Sequence, residues 1–128
     1  MTTGFYLAAI VGALVSFVAG CIWYTGLTGK IWQKEMGFSE ERIKEIFTPK
    51  RMILAFVSEW LAAFCTIGLF NNLQVDLVYK IVMLATVVVF QGVKLAIFDG
   101  KSVKTILINE GYRMISIVIL GITFALFM

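Results

Sequence analysis

Six residues inside long apolar runs have the chemistry to do more than fill a membrane: Glu59, Gln91, Lys94, Asn109, Glu110 and Arg113. Gln91 and Lys94 are three residues apart, as are Glu110 and Arg113, so on helices each pair shares a face. At about 1.5 Å per residue, Glu59 lies ~12 Å from Arg51, while Glu110 and Arg113 lie ~9 and ~14 Å from Lys104. Three segments therefore carry polar groups at a similar depth. The charges balance, two carboxylates against Lys94 and Arg113.

An ionised side chain at the centre of a bilayer costs about 2.5–3.5 kcal/mol on insertion scales. Four unpaired charges would approach the whole stability of a small domain. They must pair or line a wet cavity. Glu110 and Arg113 can pair along one helix, whereas Glu59 and Lys94 must look across helices, unless Lys94, the shallower cation, snorkels to the interface. Two readings follow. In one, the layer is a buried ion-pair network that fixes helix register. In the other, it lines a water-filled vestibule where Glu59 and Glu110 bind or relay a cation. The sequence leaves both open.

Catalysis and cofactors find less support. The chain has no histidine, which removes the commonest general base and metal ligand. Cys21 and Cys65 belong to different runs, so no disulfide is expected. No metal cluster, cofactor motif or nucleophile motif is evident, and no catalytic residue is assigned. An enzyme would have only Glu59 or Glu110 as a base. The net charge of +3 does not point to nucleic acid, because the basic residues flank apolar spans, where they report topology.

The elements that position these residues follow from composition. Of 128 residues, 60% are apolar and 15% charged, against about half and a quarter in a soluble domain. Four runs reach the ~20 residues that a spanning helix needs: about 5–27, 52–70, 77–98 and 103–127. They neither alternate nor break near ten residues, which excludes barrel strands. The expectation is an all-α polytopic membrane protein, one four-helix transmembrane domain over 1–128. Within the connection 28–51, "GFSEERIKEIFTPKR" (37–51) reads as a short amphipathic helix over about 39–47. Ser39 suits its N-cap, and Ile43, Ile46 and Phe47 share one face. Thr48-Pro49 can start the second span.

Lys30, Lys34, Arg42, Lys44, Lys50, Arg51, Lys101 and Lys104 collect on one side of this topology. The other side has only Lys80. The positive-inside rule makes the basic side cytoplasmic. The amphipathic helix then lies on the cytoplasmic face and both termini face out. The expected location is a bacterial cytoplasmic membrane.

Gly4, Ala8, Gly12, Ser16 and Gly20 form a small-residue stripe on the first span. Such stripes let helix backbones approach closely in lipid. The stripe is suited either to packing within the bundle or to an interface between copies. Trp23, Tyr24 and Trp32 sit where spans meet water and read as interfacial anchors.

Two stretches carry a resemblance. "GCIWYTGLTGKIWQKEMG" (20–37) holds Trp23, Tyr24, Gly29, Lys30 and Trp32; "FDGKSVKTILINEGYRMISIVILG" (98–121) holds Asn109, Gly111 and Tyr112. Together they resemble a family of small four-span membrane proteins, bacterial and fungal, catalogued as a domain of unknown function. The family often has Pro after the Trp-Tyr stretch, where this chain has Gly26. The resemblance implies the four-helix fold and no reaction or substrate. The functional expectation is therefore an oligomeric channel- or transporter-like conduit using the polar layer. The alternative is a structural or accessory subunit of a larger membrane complex. The partners expected are the lipid bilayer and further copies or other membrane subunits, with no nucleic acid and no cofactor.

Overall fold

The helices begin where side chains can cap them. Thr2 Oγ1 accepts from Phe5 N–H at 3.2 Å, Ser39 Oγ from Arg42 N–H at 3.1 Å, Thr48 Oγ1 from Arg51 N–H at 3.4 Å and Ser102 Oγ from Thr105 N–H at 3.2 Å. Each hydroxyl satisfies a donor that has no partner within its helix. The structure, a computed structural model, describes residues 2–128. Its elements are α1 (Thr3–Ile22), a π-helical turn (Trp23–Leu27), α2 (Gly29–Met36), α3 (Glu40–Ile46), α4 (Pro49–Asn72), α5 (Leu77–Phe98) and α6 (Val103–Phe127).

α1 with its π turn, α4, α5 and α6 are each long and apolar enough to cross a bilayer. The chain is an integral membrane protein with an all-α fold. α3 lies within the stretch expected to be amphipathic, and Pro49 is the first residue of α4. α2 was not expected, since residues 28–38 read as plain connection. Gly37 ends it at φ +71°, with Phe38 N–H reaching Gln33 O at 3.0 Å and Gly37 N–H reaching Lys34 O at 3.2 Å. That reversal requires the left-handed region glycine tolerates.

α1 packs against both α4 and α6, α4 also meets α6 directly, and α5 lies on the far side of α6. α1 and α6 are central and antiparallel. The small stripe is what lets them approach. A Cβ at Gly12 would lie 2.6 Å from Leu120 Cδ2 and 2.9 Å from Thr123 Oγ1, and one at Gly4 would strike the Phe127 carbonyl. The stripe thus faces α6 of the same chain, the first of the two uses expected of it. α4 packs on the neighbouring face of α1. Phe5 meets Phe64 edge to face at 5.0 Å, and Phe17 meets Phe56 at 5.5 Å. Phe5, Ala8, Ala9, Ala13, Ala63, Ile67 and Leu120 form the core, in the half of the bundle nearer the termini.

α5 attaches mainly to α6. Ile81 packs where a Cβ on Gly121 would sit. Lys80, only 8% exposed, donates to the Phe70 carbonyl at the end of α4. Its ammonium also lies 4.8 Å from the Phe124 ring centroid. A cation at a helix C-terminus and over a ring face is favourable on both counts. One lysine thereby ties α4, α5 and α6 together.

Replacing Gly12 by leucine should destabilise the protein by about 1–3 kcal/mol, the usual cost of overpacking. The lipid-facing Val15→Leu should change nothing measurable. Thermal unfolding of both variants in one detergent checks this. Equal melting temperatures would show that the α1–α6 approach does not limit stability.

Candidate functional site

The site grows out of the turn that ends α1. From Trp23 the helix widens by one residue: Thr28 N–H reaches Trp23 O at 2.9 Å, five residues back, and the Thr28 hydroxyl donates to the same oxygen at 2.7 Å. Such π turns are rare and recur at functional sites. Here the turn leads from α1 into α2, which brings Trp32 back against Tyr24.

Three side chains then clasp α1 to α6. Trp23 Nε1 donates to Ile108 O at 2.9 Å, Tyr24 Oη to Asn109 Oδ1 at 2.7 Å, and Tyr112 Oη to Ser16 O at 2.8 Å. Two glycines make the clasp possible. A Cβ at Gly20 would lie 2.8 Å from the Tyr112 hydroxyl, and one at Gly111 would lie 3.1 Å from the Trp23 ring. Trp23, Tyr24 and Trp32 are therefore part-buried members of an interhelical network as well as residues near the membrane boundary. Polar contacts of this kind are worth roughly 0.6–2 kcal/mol each in lipid.

Beside the clasp lies a cavity of ≈ 530 Å³. Its walls come from one face of α1 (Phe17, Gly20, Cys21, Tyr24), the start of α4 (Arg51, Met52, Ala55, Glu59) and α6 (Asn109, Tyr112). α2 and α3 roof it with Trp32, Met36, Ile46 and Phe47. All these residues lie in the half of the bundle that carries α2 and α3, called here the basic side. Arg51 and Lys101, both exposed, stand at its mouth. Glu59 is its deepest acidic group. Ser116 Oγ donates to Glu59 Oε1 at 3.1 Å. The Ser16 hydroxyl, with no exposed surface, lies beside the same carboxylate.

The six polar candidates do not form one layer. Glu59 and Asn109 line the cavity. Glu110 turns away, toward α5, and is 6% exposed. Its Oε1 is 3.7 Å from Arg113 Nη1, an i,i+3 pair, while Oε2 has no partner. A Cβ at Gly92 would land on both groups of that pair. Gly92 is the one glycine of α5, and that isolation in a run rich in β-branched residues was the available sign of a close approach. Gln91 and Lys94 share a face as expected, but it points away from α6 and is exposed. Among the described residues no ion pair joins Glu59 to Lys94, and Lys94 is exposed, as a snorkelling side chain would be. Sequence reasoning also missed Ser116, and it named Tyr112 only as part of the family resemblance; the contacts of both became legible only through the α1–α6 register. Among the described residues no group of three or more His, Cys, Asp or Glu side chains could hold a metal ion.

Cys21 lines the cavity and Cys65 is exposed on α4. A membrane-impermeant thiol reagent added on the basic side should therefore label the protein through Cys21. Labelling should vanish in Cys21→Ser and persist in Cys65→Ser, as mass spectrometry of the intact chain reads out. No labelling of Cys65→Ser would mean that the cavity is not open to water from that side.

Residues 7–125 match the family described as a protein of unknown function (DUF1761). No curated protein and no solved structure matches the chain. The chain belongs to the DUF1761 family, and Trp23, Tyr24, Asn109, Gly111 and Tyr112 of its clasp fall inside the matched region.

Proposed function

We propose that this chain is a transporter-like membrane protein that takes a small cation into the basic-side cavity and holds it at Glu59. One observation carries the reading: a ligand-sized cavity runs from the membrane boundary to a carboxylate at hydrocarbon depth. A lone carboxylate there costs several kcal/mol unless water, a partner or a cation reaches it. Ser116 supplies one hydrogen bond. The cavity leaves room for the rest.

The packing favours alternating exposure over a standing pore. Beyond Glu59, Ala8, Ala9, Ala13, Ala63, Ile67 and Leu120 pack the terminal half shut. Passage through one chain would need that half to open. Helices that rock about a fixed site do this in other transporter architectures. By the Lys and Arg count, the basic side faces the cytoplasm of a bacterial cell and the termini face out. No reaction is assigned to the chain.

A second reading, a subunit of a homo-oligomer or larger complex, draws on α5. Gln91 and Lys94 face away from α6, at a depth where an unsatisfied amide is costly. Native mass spectrometry from a nanodisc distinguishes the two readings. A stoichiometric complex with a different chain would favour the subunit.

In proteoliposomes with an imposed potassium or proton gradient, the wild type should dissipate the gradient at least ten-fold faster than protein-free vesicles. Glu59→Gln should fall to the protein-free rate while keeping its melting temperature. Flux unchanged in that variant would remove Glu59 from the pathway and the reading with it.

A further inference from the structure

The cavity's walls narrow what Glu59 would hold. Five aromatic rings, from Phe17, Tyr24, Trp32, Phe47 and Tyr112, line it. Three form a continuous wall: Trp32 meets Tyr24 edge to face at 5.0 Å, and Tyr24 meets Tyr112 at 5.7 Å. A ring face attracts cations through its quadrupole, more strongly when desolvated. The carboxylate of Glu59 adds a full negative charge at the deep end.

A divalent metal ion fits this chemistry poorly. Calcium needs six to eight oxygen ligands, and magnesium a near-ideal octahedron of oxygens with several waters retained. The cavity offers one carboxylate, hydroxyls and an amide among rings and aliphatic carbons, with the cations Arg51 and Lys101 also in its lining. An anion fits poorly as well. Arg51 and Lys101 would attract one to the mouth, but they are exposed to water about 12 Å from Glu59 along α4 in the case of Arg51. An anion resting on the aromatic wall would face the Glu59 carboxylate.

The volume of ≈ 530 Å³ falls within the range of pockets that enclose drug-sized ligands.

From these features we infer that the basic-side cavity binds a lipophilic organic cation, one whose positive charge is carried on apolar or aromatic substituents. This deepens the transporter reading and rests on it for its biological sense. Binding and movement are nevertheless separate measurements. The aromatic rings take the substituents, Glu59 neutralises the charge, and no dehydration of a small ion is required.

Equilibrium dialysis of the purified protein in nanodiscs with tetraphenylphosphonium tests the inference, using empty nanodiscs for the lipid background. Saturable binding near one per chain is expected. Glu59→Gln should weaken it at least ten-fold. Trp32→Leu, which leaves the carboxylate in place, should weaken it several-fold and carries the test if Glu59→Gln does not fold. Tetraphenylborate, of the same shape and opposite charge, dialysed separately because it pairs with the phosphonium, should show no saturable binding. Absence of saturable phosphonium binding overturns the inference, as does equal saturable binding of tetraphenylborate.

Uptake by proteoliposomes separates the two claims. Glu59-dependent binding without uptake of the phosphonium, potassium or protons would keep the site and remove the transporter reading. Glu59-dependent proton or potassium flux without phosphonium binding would do the reverse.

Discussion

The close antiparallel approach of α1 and α6 is the constraint on which the structure rests. In lipid there is little hydrophobic gain from bringing two apolar helices together, so contact depends on packing and polar contacts. The stripe from Gly4 to Gly20 removes side chains along one face of α1, and Leu120, Thr123 and Tyr112 occupy the space. The clasp of Trp23, Tyr24 and Tyr112 then locks the register on the basic side. α4 packs against α1, α5 against α6, and the cavity is what remains where α1, α4 and α6 diverge from close contact.

The intramembrane charges are handled in three different ways. Lys80 is buried and satisfied, with a helix-end carbonyl and a ring face as partners. Glu110 and Arg113 partly satisfy one another over the bare backbone of Gly92. Glu59 has only hydroxyls nearby and an open volume before it. The first two arrangements bring helices together. The third leaves a group accessible, and that difference singles out Glu59 among residues that look alike in composition.

The four long helices were legible because lipid imposes length and composition so strongly, and the caps at Ser39 and Thr48 were legible because hydroxyls before helices act locally. The site was legible only in part. Glu59 could be placed at depth by counting residues, but its partner could not be named, because Ser116 meets it through a register set by Gly12 and Gly20. Lys94 misled for a similar reason: its depth fitted, yet rotation about α5 carries it outward while Gly92 takes the inward position. Depth follows from arithmetic along one chain. Facing requires knowing which helix is the neighbour. α2 escaped notice because it is short and its apolar period is a single i,i+4 pair, Trp32 and Met36, and its end is fixed by a single left-handed glycine.

The pairing of the first long helix with the last has a cost in time. α1 is complete when Ile22 is made, but α6 ends at Phe127. At ~5–20 residues per second, translation of the intervening chain takes of order ten seconds. Through that interval the glycine-bearing face of α1 has no permanent neighbour and must meet lipid, α4 or a membrane chaperone. The largest interface of the fold is also its most distant in sequence, so ribosome stalling or truncation before α6 would leave a hairpin of α1 and α4 with its groove uncovered, a natural substrate for quality-control proteolysis.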